Sequence, residues 1–270
     1  DYNTIDNNTV ENSSRGIYIG SSDYNTIDNN TVNNNSYGIY LDSSENNLLD
    51  NNYVENGSNG VYIYSCSNIT MDNNVLRSNS TNFTVSGSLL SHFIHDIDNT
   101  NIVDAGPIIY LTGQENNLVI NQDNNVGWLG LVNSDNMRAE NLVVERVVLA
   151  FTYNSRVENV IAENSSIGIY LNNSDNNTIN GNTTDNSVIG VYLASSSDNN
   201  TITGNTVENN SSYGIYLNSS DNNTIDSNRV KNSSSYGIFL YNSSDSNTVS
   251  SNTVDNIGDN GIFLSGSDYN

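Results

Sequence analysis

The sequence predicts an all-β chain wound as a parallel β-helix solenoid, with 22–24 residues per coil and about 11–12 coils. Three observations lead there. Gly-Ile/Val-Tyr/Phe recurs at Gly16, Gly38, Gly60, Gly168, Gly190, Gly214, Gly237 and Gly261, spaced by 22 to 24 residues except for one gap of 108. A second motif, Asn-Thr-Ile-x-x-Asn-x-Val, keeps step with the first; its central aliphatics are Ile5, Ile27, Leu49, Met71, Ile179, Ile202, Ile225 and Val249. Three residues after each of these stands an asparagine: Asn8, Asn30, Asn52, Asn74, Asn182, Asn205, Asn228 and Asn252.

Each repeat holds three short strand-like segments, Gly-Ile-Tyr-Leu, Asn-Thr-Ile and Asn-Thr-Val. They alternate aliphatic with polar or aromatic residues and are bounded by turn residues, and no stretch shows the 3.6-residue period of a helix. Three such strands close one coil, and successive coils pair at ~4.8 Å. Ile5, Val10, Ile17 and Ile19, with their equivalents, are expected to point inward as narrow aliphatic columns. The fixed asparagine is expected to form an internal ladder, its carboxamides hydrogen-bonding from coil to coil at a bend. Asparagine also accepts the left-handed backbone that such bends need.

This period explains an odd composition. The 270 residues include 57 asparagines, 7 basic and 30 acidic residues, for a net charge of −23, with hydrophobic residues at 35%. A slim core needs few apolar side chains. Basic residues this scarce cannot neutralise a phosphate backbone, which excludes nucleic-acid binding. No apolar run reaches the ~20 residues of a membrane helix, so no membrane span is expected in this segment. Cys66 is the sole cysteine and is expected to fill the core or a turn without a disulfide.

The chain reads as one domain, 1–270, with regular coils over 1–79 and 148–270, and degenerate coils between them carrying an excursion near 80–107. Pro107, Trp128, His92 and His95 all fall in the irregular stretch, with Trp128 expected in the core. The coils, together with the segments His95-Asp96-Ile97-Asp98 and Gly106-Pro107-Ile108-Ile109-Tyr110-Leu111, resemble the NosD-like β-helix repeats of archaeal surface proteins, a group overlapping carbohydrate-binding and sugar-hydrolase β-helices. The resemblance implies a right-handed helix and an exported protein; no copper-ligand motif carries over with the name.

Outward columns supply the candidate sites. Acids recur four residues before seven of the eight central aliphatics, at Asp1, Asp23, Glu45, Asp175, Asp198, Asp221 and Asp245, with Asp268 beginning the column again, and a partial second column runs through Asp6, Asp28, Asp50, Asp72 and Asp226. Stacked carboxylates repel; they either close Asx-turns under salt screening or hold Ca²⁺ between coils, with Asp23, Glu45, Asp175, Asp198, Asp221 and Asp245 as the candidate ligands. Tyr18, Tyr40, Tyr62, Tyr170, Tyr192, Tyr216, Phe239 and Phe263 form an expected outward aromatic stripe, suited to packing on another subunit or on sugar rings. Of 19 Asn-x-Ser/Thr sequons, the candidate glycan carriers are Asn12, Asn34, Asn56, Asn82, Asn164, Asn218, Asn232 and Asn242. His92, His95 and Asp98 are the candidates for metal or acid–base chemistry, set against a structural role in the excursion. Arg138, Arg146 and Arg156 are expected to pair with Glu140, Glu145 and Glu158.

Regularity suits a scaffold better than an active site, so the expected function is a self-assembling, glycosylated cell-surface element of a surface layer, sheath or filament. A polysaccharide-binding or polysaccharide-cleaving β-helix is the alternative, with enzymatic activity left open. Expected partners are the chain itself, by lateral or head-to-tail assembly, and cell-surface glycans. The sequence begins Asp1-Tyr2-Asn3 and closes with Ser267-Asp268-Tyr269-Asn270, matching Ser22-Asp23-Tyr24-Asn25 in mid-coil, without a signal sequence or polar cap. This is expected of a piece of a longer array, or of subunits stacking end to end.

Overall fold

The computed structural model describes residues 1–104, 106–115, 117–121 and 126–270; Ala105, within the expected excursion, lies outside them. The chain is all-β, a right-handed parallel β-solenoid of about twelve turns. Among the described residues the sole helical element is one 3-10 turn, Leu90–Phe93. Two compact units are resolved by their internal contacts, Asp1–Thr112 with Gly127–Leu129, and Gly113–Val126 with Gly130–Asn270.

In the first unit the Asn-Thr-Ile segments Thr4–Asp6, Thr26–Asp28, Leu48–Asp50 and Thr70–Asp72 pair in parallel, residue for residue. The Asn-Thr-Val segments Thr9–Glu11, Thr31–Asn33, Tyr53–Glu55 and Val75–Arg77 form a second sheet. The third consists of the longer strands Arg15–Gly20, Tyr37–Asp42, Asn59–Tyr64 and Thr81–Ser86. The second unit repeats the plan, for instance with Thr178–Asn180, Thr201–Thr203 and Thr224–Asp226 in register.

Inward columns follow the expected register. Ile17, Ile39, Val61 and Phe83 stack, as do Ile19, Leu41, Ile63 and Val85, all of them buried. Glycine stands second in three of these long strands, at Gly16, Gly38 and Gly60, because backbone passes close by; Asn82 takes that place in Thr81–Ser86. A Cβ on Gly38 would lie 2.3 Å from Val54 Cγ1 and 2.7 Å from the Gly60 carbonyl oxygen. The bends are made by asparagine in the left-handed region, with φ of 59° at Asn7, 54° at Asn29 and 52° at Asn51.

The asparagine ladder is present and does double work. Asn52 Oδ1 accepts from the Asn30 backbone N–H and from Asn30 Nδ2, and Asn74 Oδ1 treats Asn52 likewise. Each Nδ2 also donates to a backbone carbonyl of the preceding coil, as Asn52 does to Ile27 at 2.8 Å. A second ladder, not singled out from the sequence, runs two residues before each central aliphatic: Asn3 to Asn25 to Asn47, and Asn177 to Asn200 to Asn223 to Asn247. A third uses serine, from Thr152 through Ser174, Ser197 and Ser220 to Ser244. Along these three ladders buried N–H groups are satisfied by the next coil's side chains.

The irregular stretch departs from the expected 22–24-residue coils. Met71 pairs with Ile97, 97 − 71 = 26 residues on, because the 3-10 turn is inserted. Ile102–Val103 then pairs antiparallel with Gly106–Thr112, Ile102 opposite Pro107, a hairpin within a parallel fold. In the second unit Ile120, Ala139 and Val157 are in register, giving short coils of 139 − 120 = 19 and 157 − 139 = 18 residues.

Candidate functional site

His95 is a ladder residue. It occupies the position two before the central aliphatic Ile97, where Asn25 and Asn47 stand in earlier coils. Its Nδ1 accepts from the Ile69 backbone N–H at 3.3 Å, and its Nε2 donates to the His92 carbonyl at 3.0 Å. Those contacts require the neutral Nε2–H tautomer, and burial pushes the pKa down to about 4. His92 Nδ1 accepts from the N–H groups of Ser88 and Leu89. Asp98 is turned into its own bend, receiving Thr100 and Asn101. The three residues are therefore not assembled into a site.

Cys66 likewise fills a ladder position. Its sulfur accepts from the Ser44 N–H at 3.4 Å and donates to the Tyr64 carbonyl at 3.2 Å, where other coils place serine. Burial raises the thiol to about 11, so it stays protonated and inert. Trp128 is fully buried, edge-on to Phe83 at 4.9 Å and stacked on Tyr110 at 6.0 Å.

The acidic column is wired to the backbone. Asp1 Oδ1 accepts from the Asp23 N–H and Asp23 Oδ1 from that of Glu45, both at 2.8 Å. In the second unit Asp175, Asp198, Asp221 and Asp245 each cap the N–H of the next acid, at 2.9, 2.7, 2.8 and 2.6 Å. This ladder runs opposite in sense to the asparagine one, with each oxygen capping the coil that follows. Burial raises the pKa of Asp198, repulsion from Asp175 and Asp221 adds to it, and the Asp221 N–H opposes it. In the second column Asp28, Asp50 and Asp72 are in register, and burial, then Asp98, Asp50 and Asp96, raise Asp72. Asp226 is lowered by hydroxyl donors, chiefly Ser250 at 2.6 Å. Among the described residues no group of three or more His, Cys, Asp or Glu side chains converges as a metal cage.

The aromatic stripe exists but is not the open platform the sequence suggests. Tyr170, Tyr192, Tyr216, Phe239 and Phe263 stack with centroids 4.8 to 5.3 Å apart and interplanar angles of 4 to 18°. In the first unit Tyr18, Tyr40 and Tyr62 contact one another at 5.4 and 5.2 Å with tilted and edge-on rings. Tyr170 and Phe239 are buried, only Tyr18 is exposed, and the others are half-buried. In the second unit the ring faces are spent on one another, which leaves no open face within that stack for a sugar ring. A flanking row that the sequence reading passed over, Tyr213 and Tyr236, packs against it at 5.1 and 4.8 Å. Its signal was the Tyr before the glycine.

Of the sequon asparagines, Asn12, Asn34, Asn56, Asn164 and Asn242 are exposed, and Asn218 and Asn232 half-buried. Asn82 corrects the expectation. It is 2% exposed, its Oδ1 accepts from Asn79 Nδ2 and its Nδ2 donates to Asp104, so the folded chain offers no amide there. Asn12 and Asn34 lie at left-handed bends, and Asn34 Nδ2 donates a hydrogen bond to Asn12 Oδ1 at 2.7 Å.

The arginines split. Arg138 bridges Glu140 at 2.7 Å and Glu158 at 3.0 Å, and Arg156 reaches Glu158 at 3.4 Å. Arg146 is buried and donates to the Ile167 carbonyl and Ser166 Oγ, tying two coils together.

Residues 96–270 match the model of a family described as periplasmic copper-binding protein (NosD), and residues 1–127 one described as right handed beta helix region. No curated protein matches the sequence. Among solved structures, the catalytic domain of a GH87 α-1,3-glucanase in complex with nigerose aligns at 14% identity and TM-score 0.37, covering 98% of this chain and 56% of its own. The Streptococcus pneumoniae surface protein and adhesin PfbA aligns at 15% identity and TM-score 0.41, covering 92% and 68%. The chain thus spans little more than half the length of the glucanase domain.

Proposed function

We propose, for a chain that belongs to the NosD family of β-helix proteins, that it is a structural element of a cell surface or periplasmic space which assembles with copies of itself into a layer, sheath or filament. The family's description as periplasmic supports an exported location. The observation that carries the reading is that the conspicuous columns serve coil stacking. Asparagine, serine and aspartate side chains cap the neighbouring coil's N–H groups, and tyrosines stack on tyrosines. Most of what remains outside repeats at the coil spacing, the surface of a building block rather than of a single pocket. Glycans at exposed Asn12, Asn34, Asn56, Asn164 and Asn242 belong to this proposal.

The copper in the family's description does not fit the donors here. Both His95 nitrogens are bonded to backbone, Cys66 is buried in a ladder, and Met71 and Met137 are core residues.

One observation favours the alternative, a polysaccharide-binding surface. Along the first unit, Asn12, Asn34 and Asn56 with Ser14, Ser36 and Ser58 line an uncharged groove crossing successive coils. A pelleting assay separates the two. Self-assembly predicts that concentrated chain sediments alone; sedimentation only with an added insoluble glucan or uronan would favour the alternative.

A further inference from the structure

Across residues 135–161 several column rules lapse together. Thr178, Thr201, Thr224 and Thr248 stand outward in register, but the two coils before them carry Arg138 and Arg156 in that column. On the adjoining sheet Val143 and Ile161 precede Thr183 and Thr206. In the acidic column Tyr153 faces Asp135, where an acid is the rule. These replacements point outward: Val143 is 62% exposed, Ile161 41% and Tyr153 36%, with the Arg138 and Arg156 side chains at 48% and 62%. Coil stacking asks for none of them, since the threonine coils stack in the same register.

Charge singles out the same place. Residues 135–161 contain three arginines and four acids, so 3 − 4 = −1; the remaining residues hold 7 − 3 = 4 basic and 30 − 4 = 26 acidic groups, or 4 − 26 = −22. Nearly all of the net charge lies elsewhere on the chain.

We infer that this face is where a second copy of the chain docks, an inference that rests on the self-assembly reading above. Two polyanions repel over most of their surfaces and approach most easily where one of them is nearly neutral. The patch has the composition of an interface centre, arginine and tyrosine beside exposed aliphatics. Its arginines have donors to spare. Arg138 meets Glu140 and Glu158 through Nη2 alone, and Arg156 meets Glu158 through Nη1 at 3.4 Å, while each guanidinium carries five N–H groups. The two glutamates hold both forks along the sheet, beside the Asn136 and Asn154 amides that line the same groove. Register supplies the match. Arg138 and Arg156 are one coil apart, and so are the acids of any column on the copy, Asp198, Asp221 and Asp245 among them. Parallel pairing sets both spacings, so two forks can meet two successive carboxylates without strain.

Sedimentation velocity at ~0.15 M salt, where charges beyond ~8 Å are screened, tests this on three proteins. They are the wild-type chain, a variant with Arg138→Thr, Arg156→Thr, Val143→Thr and Ile161→Thr, and a second with Arg138→Glu and Arg156→Glu. The first variant installs the residue the same columns use in other coils, and the second changes only exposed side chains, so both are expected to keep the wild-type circular dichroism. The wild type is expected to self-associate, and both variants to show a dissociation constant raised roughly tenfold or more. Equal association in wild type and variants overturns this face and leaves self-assembly standing on another. A wild-type chain that stays monomeric up to its solubility limit overturns the self-assembly reading and this face with it.

Discussion

Asn205 Oδ1 accepts two hydrogen bonds from Asn182, from its backbone N–H at 2.9 Å and from its Nδ2 at 3.0 Å. Asn205 Nδ2 in turn donates to the Ile179 carbonyl and to Asn228 Oδ1, both at 2.9 Å. One buried carboxamide therefore serves the coil before and the coil after. Replacing it leaves buried donors and acceptors without partners on both sides, each costing about 1–3 kcal/mol. Asn205→Ala is expected to destabilise the fold by at least about 3 kcal/mol in urea unfolding, and Asn205→Asp by more, since it loses both donors and buries a charge. A loss below about 1 kcal/mol for the alanine variant would show that the ladder is incidental.

Thr184 is the counter-case, a polar residue where the fold has no use for it. It is fully buried, its hydroxyl has no partner, and its register neighbours are Ala162 and Val207. Thr184→Val keeps the shape and removes an unsatisfied oxygen. The melting temperature is expected to rise, by the equivalent of about 1 kcal/mol. A fall would mean that the hydroxyl is bonded in solution.

His95 makes stability depend on pH with a definite sign. Its pKa is about 4 when folded against 6.5 when free, so the unfolded chain binds the proton more readily. The stability it contributes is complete above 6.5 and is lost as pH falls toward 4, on the order of 3 kcal/mol across that window. Asp198 and Asp72 act oppositely, because their raised pKa values make protonation favour the fold. His95→Asn isolates the histidine by restoring the ladder's usual amide. The stability difference between variant and wild type is expected to grow from pH 7 to pH 4; a difference flat with pH would sink the assignment.

The carboxylate column poses a question of counter-ions. Asp198, Asp221 and Asp245 stand one coil apart, each with one oxygen on a backbone N–H. Each such bond ties one oxygen to the next coil, and salt screening is the expected counterweight to the repulsion that remains. Sodium chloride is expected to raise the melting temperature, and EDTA at fixed ionic strength to leave it unchanged. A fall in EDTA that calcium reverses would show instead that Ca²⁺ bridges these acids.

Much of this was legible in the sequence, for one physical reason. Parallel in-register stacking puts equivalent residues on top of each other, so whatever a bend or core position needs is written once per coil. Ile27, Leu49 and Met71, Gly38 and Gly60, and Asn30 and Asn52 were readable as columns on that account. The rest was hidden where one chemistry stands in for another. His95 and Cys66 do the work of asparagine and serine, and neither continues a motif. Coil length was obscured by the 3-10 insertion and by the short coils around Ala139. Exposure of the tyrosine row was overread, because alternation tells inside from outside but not that Tyr192 and Tyr216 lie face to face at 4.8 Å.

Electron microscopy of the purified chain at increasing concentration bears on the whole account. A structural element whose nearly neutral, arginine-bearing face meets its copy's acids is expected to form ordered arrays in which neighbouring chains keep one fixed offset. Isolated particles at every concentration, with no ordered contact between copies, would contradict it.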